Sequence, residues 1–140
     1  TVFLEPAINQ VTALLQHSVN EKQLTVINGV PENFTLHTDV NMLTIILRNV
    51  VGNAIKYSLP GSVLQIKSTK EAQHIFIAIS NQTDAATASA MPSIAAPAIN
   101  SEASGLGFTL IKEFAEKLGG KMSYAVSNNR VTATLSLPVA

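Results

Sequence analysis

This 140-residue chain predicts an α+β fold of two layers, with three helices packed on a mixed, mostly antiparallel sheet of about five or more strands. Three observations support it. Apolar residues recur at helical spacing in three separated blocks, strand-like runs between them pair off as hairpins, and Gly, Pro and Asn clusters mark the junctions.

The elements follow in order. Pro6 suits a first helical turn, and Ile8, Val11, Leu14, Leu15 and Val19 supply an apolar face to about Asn20. Leu24–Asn28 and Phe34–Thr38 read as short strands around the turn Asn28-Gly29-Val30-Pro31. Asp39 is a good N-cap for a helix running to about Tyr57, and Pro60-Gly61 stops it. Ser62–Thr69 and His74–Ser80 form a hairpin. From Asn81 to Ser104 the chain is Ala, Ser, Thr and Pro with only Met91, Ile94 and Ile99 as large apolar residues. That segment has no clean period and predicts a mobile lid or a disordered excursion. Gly105 then opens a helix whose Ile111, Phe114, Ala115 and Leu118 face inward, and Gly119-Gly120 ends it. Lys121–Val126 and Arg130–Leu137 close the fold as a hairpin around Ser127-Asn128-Asn129.

Composition narrows the function. The length suits one domain with one core, and 46% apolar residues spread along the chain indicate a globular one. Zero net charge offers no general field to recruit nucleic acid or an anionic membrane. Cysteine is absent, which excludes disulfides and thiolate metal sites and fits a reducing compartment. His17, His37 and His74 give no metal-ligand spacing. The chain opens at Thr1 without an initiator Met, as expected of a piece of a longer protein.

The most informative segment is Asn49-Val-Val-Gly-Asn53-Ala-Ile-Lys56-Tyr57-Ser58. At 100° per residue, Asn49, Asn53 and Lys56 fall within about a 60° arc. Leu43, Ile46, Leu47, Val50, Val51 and Ala54 form the buried stripe about a third of a turn away. Asn is a mediocre helix former, and a solvated face would more naturally carry Glu, Lys and Gln. Two Asn one turn apart suit a ligand that takes neutral oxygen donors and amide protons. Polar residues at the edge of a half-buried helix would satisfy the same spacing, so spacing alone leaves both readings open. Farther on, the Ser104–Phe108 turn offers backbone N–H groups at a helix start, with Gly105 and Gly107 lacking side chains that would block a phosphate.

The first segment resembles the N box of the histidine-kinase branch of the GHKL ATPases, the superfamily that includes DNA gyrase. The stretch from Ser104 to Met122 resembles that family's G2 box and the helix after it. The two lie in the family's order, about 50 residues apart. A weaker likeness covers the whole chain, including the lead-in Leu15–Lys22 and Asp39. The resemblance implies a two-layer sandwich holding ATP between the helices and a lid over 81–104. It implies Asn53 as the ligand bridging Mg²⁺ to the triphosphate, Lys56 on a phosphate, and Tyr57 along the purine or ribose. A plain aromatic at the helix end would also explain Tyr57. Gly105, Leu106, Gly107 and Phe108 would line the phosphates. Asn49 stands where the gyrase branch keeps a water-activating glutamate. An amide takes no proton at neutral pH, which disfavours hydrolysis but not transfer to a supplied acceptor.

The implied partners are a dimerisation and phosphoacceptor helical domain of the parent kinase and a response regulator receiver domain. No nucleic acid and no direct membrane contact are expected. The domain would be cytoplasmic, in a parent that a membrane can anchor. His17 lacks the acidic neighbour of such phosphoacceptors and is expected at the surface.

Two family boxes are damaged. Where the family has Asp-x-Gly-x-Gly, whose aspartate accepts the adenine amine, the chain reads Asn81-Gln82-Thr83-Asp84-Ala85. Asn81 can still accept one hydrogen bond through its carbonyl, more weakly than a charged group. The aromatic F box is replaced by Ala/Ser/Pro sequence, and Ala103 stands for the first G2 glycine. Two further readings therefore stand beside the kinase domain. One is a pseudo-ATPase of the same fold, acting as a regulatory or interaction module. The other is an anti-sigma-type serine kinase, which the histidine-kinase-like lead-in disfavours.

Overall fold

The computed structural model describes residues 1–95 and 105–139, with side chains described for 1–91 and 110–139. Its elements are β1 (Val2–Phe3), α1 (Leu4–Leu14), α2 (Gln16–Glu21), β2 (Thr25–Asn28), β3 (Thr35–Leu36), α3 (Val40–Tyr57), β4 (Val63–Glu71), β5 (His74–Gln82), α4 (Ala85–Ala95), α5 (Gly105–Lys117), β6 (Lys121–Ser127) and β7 (Arg130–Pro138). Five strands form one sheet in the order β2-β4-β5-β7-β6, and β1 pairs with β3 in a separate two-stranded ribbon. Only β2 and β4 run parallel; the other pairs of the large sheet are antiparallel. The expected α+β, mixed and mostly antiparallel sandwich is the fold observed.

One face of the sheet makes the core. Along β5, Ile75, Ile77 and Ile79 alternate inward, and β7 answers with Val131, Ala133, Leu135 and Leu137. Helix α3 lays Leu43, Ile46, Leu47, Val50, Val51, Ala54 and Ile55 on that face, the predicted stripe with one residue more. Asp39 caps it as expected, its carboxylate accepting from the Met42 N–H at 3.1 Å. Its far end is closed from outside the helix. The Lys22 ammonium donates to the carbonyls of Ile55, Lys56 and Ser58 at 2.9, 2.6 and 3.0 Å, using all three of its N–H groups at the negative end of the dipole. Burial lowers the Lys22 pKa, but a triple donation of this kind requires the protonated form.

Four expectations need correction. The first predicted helix is broken at Leu15 into α1 and α2, and Leu14, placed on its apolar face, is 62% exposed. The strand Phe34–Thr38 shrinks to Thr35–Leu36, paired with an N-terminal strand the sequence did not announce. Helices among the described residues number five, not three. Within the segment expected to lack regular structure, β5 continues to Gln82 and Ala85–Ala95 is helical; residues 96–104 lie outside the described residues.

Helix α4 starts where a capping residue stands. Asp84 accepts from the Thr87 N–H at 2.6 Å, and its own carbonyl receives the Ala88 N–H at 2.9 Å. The Thr87 backbone N–H, then its side chain, hold the Asp84 carboxyl below the ordinary range. The cap is therefore present above the ordinary carboxylate pKa and is lost as pH falls through the lowered one. Among the described residues no helix is long and apolar enough to cross a membrane.

Candidate functional site

Asn81 continues the inward positions Ile75, Ile77 and Ile79 of the central strand, so period-2 geometry drives a carboxamide into the core face. It is 3% exposed, and its Nδ2 has no hydrogen-bond partner among the described residues. The C-terminal half of α3 crosses above it. There Asn53 likewise buries an Nδ2 with no partner. Both residues line one small, partly enclosed cavity with Val50, Tyr57, Met91 and Tyr124. Buried side-chain amides are almost always paired, so two unpaired donors in one cavity mark a place built for something that accepts.

Two backbone bonds fix this juxtaposition. The Leu59 N–H donates to the Gln82 carbonyl at 2.8 Å, tying the end of α3 to the end of β5. The Thr83 N–H donates to Asn129 at 2.8 Å, tying β5 to the tight turn between β6 and β7. That turn places Asn128 and Asn129 at φ of 52° and 59°, the left-handed pair of a type I′ hairpin. Burial pushes the Tyr124 phenol well above its usual range, so it is a neutral hydroxyl at physiological pH.

The remaining predicted residues divide by groove. Asn53 also lines an open groove of about 440 Å³ with Leu15, Ile45, Arg48, Asn49 and Gly52. Asn53 thus stands at the boundary between the small cavity and this outer groove. Asn49 turns its amide back on its own helix, donating to the Ile45 carbonyl at 2.7 Å. Lys56 is not in either space. It lines a second groove, of about 220 Å³, with Ser18, Glu21 and Lys22, and its ammonium lies 5.3 Å from the centre of the Tyr57 ring. Gly105, Leu106, Gly107 and Phe108 form the first turn of α5, which packs on α3. His17 is exposed and pairs with Glu21 at 2.7 Å, as a surface histidine would. Sequence reasoning missed Lys22 and Met91. A lone Lys after a helix carries little signal, and Met91 sat in a stretch without period.

Gly52 sits between the two grooves, and a Cβ added there would meet nothing within 4 Å. No described neighbour packs against it, so Gly52→Ala is expected to raise stability by about 1 kcal/mol in thermal unfolding. If a ligand slides along this groove, the same variant will bind it more weakly, and the two readings come from one protein preparation.

Residues 38–140 match the family described as histidine kinase-, DNA gyrase B-, and HSP90-like ATPase. The chain belongs to that family. Among curated relatives, it is 35% identical over 82 residues to the adaptive-response sensory kinase SasA of Synechococcus elongatus, covering 57% of this chain and 21% of SasA. It is 26% identical over 136 residues to an uncharacterised sensor-like histidine kinase of Rhizobium meliloti, covering 87% of this chain and 26% of that one. The chain therefore spans about a quarter of these relatives or less. Among solved structures, the nucleotide-free catalytic domain of histidine kinase ThkA superposes with a TM-score of 0.85 at 18% identity, over 99% of this chain and 94% of ThkA's. Full-length ShkA in complex with AMPPNP gives 0.78 at 18% identity, over 99% of this chain and 30% of ShkA. Those likenesses establish the histidine kinase catalytic-domain fold, and the cavity between α3 and β5 is to be weighed as a site of an ATPase family.

Proposed function

We propose that the chain is the ATP-binding catalytic domain of a sensor histidine kinase, one unit over 1–140 with the segment after β5 as its lid, presenting Mg·ATP to a histidine on a separate helical domain. What supports this reading is a pair of buried amide nitrogens, of Asn53 and Asn81, without a hydrogen-bond partner among the described residues and lining one cavity from different elements. Asn81 would meet the edge of the base, and the Tyr57 ring would lie along base or ribose. Asn53, at the mouth of the cavity, would meet the triphosphate.

The donor set fits Mg²⁺, which takes hard oxygens and draws most of its shell from water and phosphate. Asn53 is the residue to hold it, and the bound ion would neutralise charge on the transferring phosphoryl group. The protein itself supplies position. Lys22 secures the last turn of α3, which carries Tyr57 and the Lys56 ammonium, a flexible point charge for a phosphate. The first turn of α5 at Gly105, Leu106, Gly107 and Phe108 would turn backbone N–H groups toward the phosphates. Asn49 can accept no proton, which spares ATP from water and leaves the γ-phosphoryl for the histidine. From there it would pass to a receiver aspartate.

A second reading, a regulatory pseudo-ATPase, is favoured by one observation. Met91 walls the cavity, which has room for only about 10 Å³. Titration with a fluorescent ATP analogue, with and without Mg²⁺, separates the two. Metal-dependent binding at micromolar concentration is the expected result. No binding at millimolar ligand would leave the pseudo-ATPase.

A further inference from the structure

One wall of the cavity between Asn53 and Asn81 is the Met91 side chain. Met91 is 2% exposed and packs on Val131, flanked by Tyr57, Tyr124 and Val126. About 10 Å³ is left beside it, room for about one water and far short of a purine. Its helix is held by the Asp84 cap and by Ala88, the other inward residue among the described side chains of α4, one turn before Met91.

The fit is sterically good and chemically poor. Met91 is unbranched and adaptable, so it fills an irregular space well. Its thioether is at best a weak acceptor, and the Nδ2 atoms of Asn53 and Asn81 stay unpaired beneath it. Each such donor carries its desolvation cost without return. A polar planar ligand would relieve both amides at once, while the methionine relieves neither. A side chain that walls a cavity but leaves its polar groups unsatisfied is one that a better-matched ligand can expel.

We infer that α4 is a displaceable plug, with Met91 as an intramolecular competitor of nucleotide. The inference rests on the reading of the cavity as a nucleotide site. The closed form stores the domain empty, and binding draws Met91 out. The apparent dissociation constant is then the intrinsic one divided by the small fraction of open molecules. Removing the plug raises apparent affinity without adding a contact to ligand.

The test uses the chain as it stands, with its three methionines labelled as ¹³C-methyl. The Met91 signal is assigned by its loss in Met91→Leu. Adding Mg·AMPPNP to the unsubstituted chain is expected to move that signal to a solvent-exposed position in step with saturation. Met91→Ala is expected to bind the nucleotide about tenfold more tightly or better. Nucleotide that saturates while the Met91 methyl stays in place overturns the plug alone and keeps the nucleotide site. Equal affinity of Met91→Ala and the unsubstituted chain does the same. No binding by either protein overturns the nucleotide reading, and the plug with it. The spectrum of the unsubstituted chain decides the matter even if Met91→Ala folds poorly.

Discussion

Replacing Asn53 with Leu is expected to move binding and stability in opposite directions. Binding should fall by about 2–3 kcal/mol, or roughly 30- to 150-fold in dissociation constant, because a hydrogen bond to a charged partner is lost at the mouth of the cavity. Stability should rise by about 1 kcal/mol. The Asn53 Nδ2 is buried and unpaired, so a side chain of similar shape without that donor avoids a desolvation cost that nothing in the apo fold returns. The opposed signs decide between the readings that helical spacing left open. An edge residue of a half-buried helix would show little change in either quantity. A structural hydrogen-bonding residue would lose stability. Only a residue kept for a ligand gives up stability in order to bind, the usual trade at functional sites. Nucleotide titration and thermal unfolding of the two proteins check it. Unchanged binding by Asn53→Leu would remove Asn53 from the site.

How much of this could be read from sequence depended on how local the cause was. Helix α3 was legible because its causes lie within it: the Asp39 cap, the stripe from Leu43 to Ala54 and the stop at Pro60-Gly61. The two hairpins were legible for the same reason, with the Asn128-Asn129 turn stating its own conformation. The division of labour among Asn49, Asn53 and Lys56 was not. On a helical projection they share one flank, yet one bonds to its own helix, one enters the cavity and one stacks over Tyr57. That outcome depends on how α3 crosses β5, which pairwise spacing does not contain. Asn81 was noticed as a departure from a family box, but its burial follows from strand register with Ile75, Ile77 and Ile79.

Helix α4 shows the limit most clearly. Its inward face consists of Ala88 and Met91 among the side chains described, too few to set a period in an Ala/Ser/Thr background. The local cue was Asp84 at the head of an alanine-rich run, a cap signal without an apolar repeat to follow. The break at Leu15 had no cue of that kind, since no Gly or Pro stands there. Lys22 is the converse case. Its three acceptors are more than 30 residues away along the chain, so only the packed fold brings them together.

Gly120→Ala is expected to cost about 3 kcal/mol or more, the largest loss expected at any of the described glycines. Helix α5 ends in a paired motif: Gly119, at φ +80°, donates to the Glu116 carbonyl at 3.0 Å, and Gly120 donates to that of Ala115 at 2.8 Å. The two glycines are there for different reasons. Gly119 needs its left-handed backbone, and a Cβ on it would only touch Pro138 at 3.5 Å, an ordinary contact. Gly119→Asn should therefore cost about 1 kcal/mol or less, since Asn tolerates that conformation. Gly120 is not in the left-handed region. A Cβ there would overlap the backbone carbonyl of Ser136 and come within 2.8 Å of the Leu137 side chain. Ser136 is in register with Phe76 on one side and Lys121 on the other, so its backbone cannot shift without straining the pairing of β7. Chemical denaturation of the two variants checks the contrast. Equal losses would mean that the junction of α5 with β7 is looser than the close approach of Gly120 to Ser136 requires.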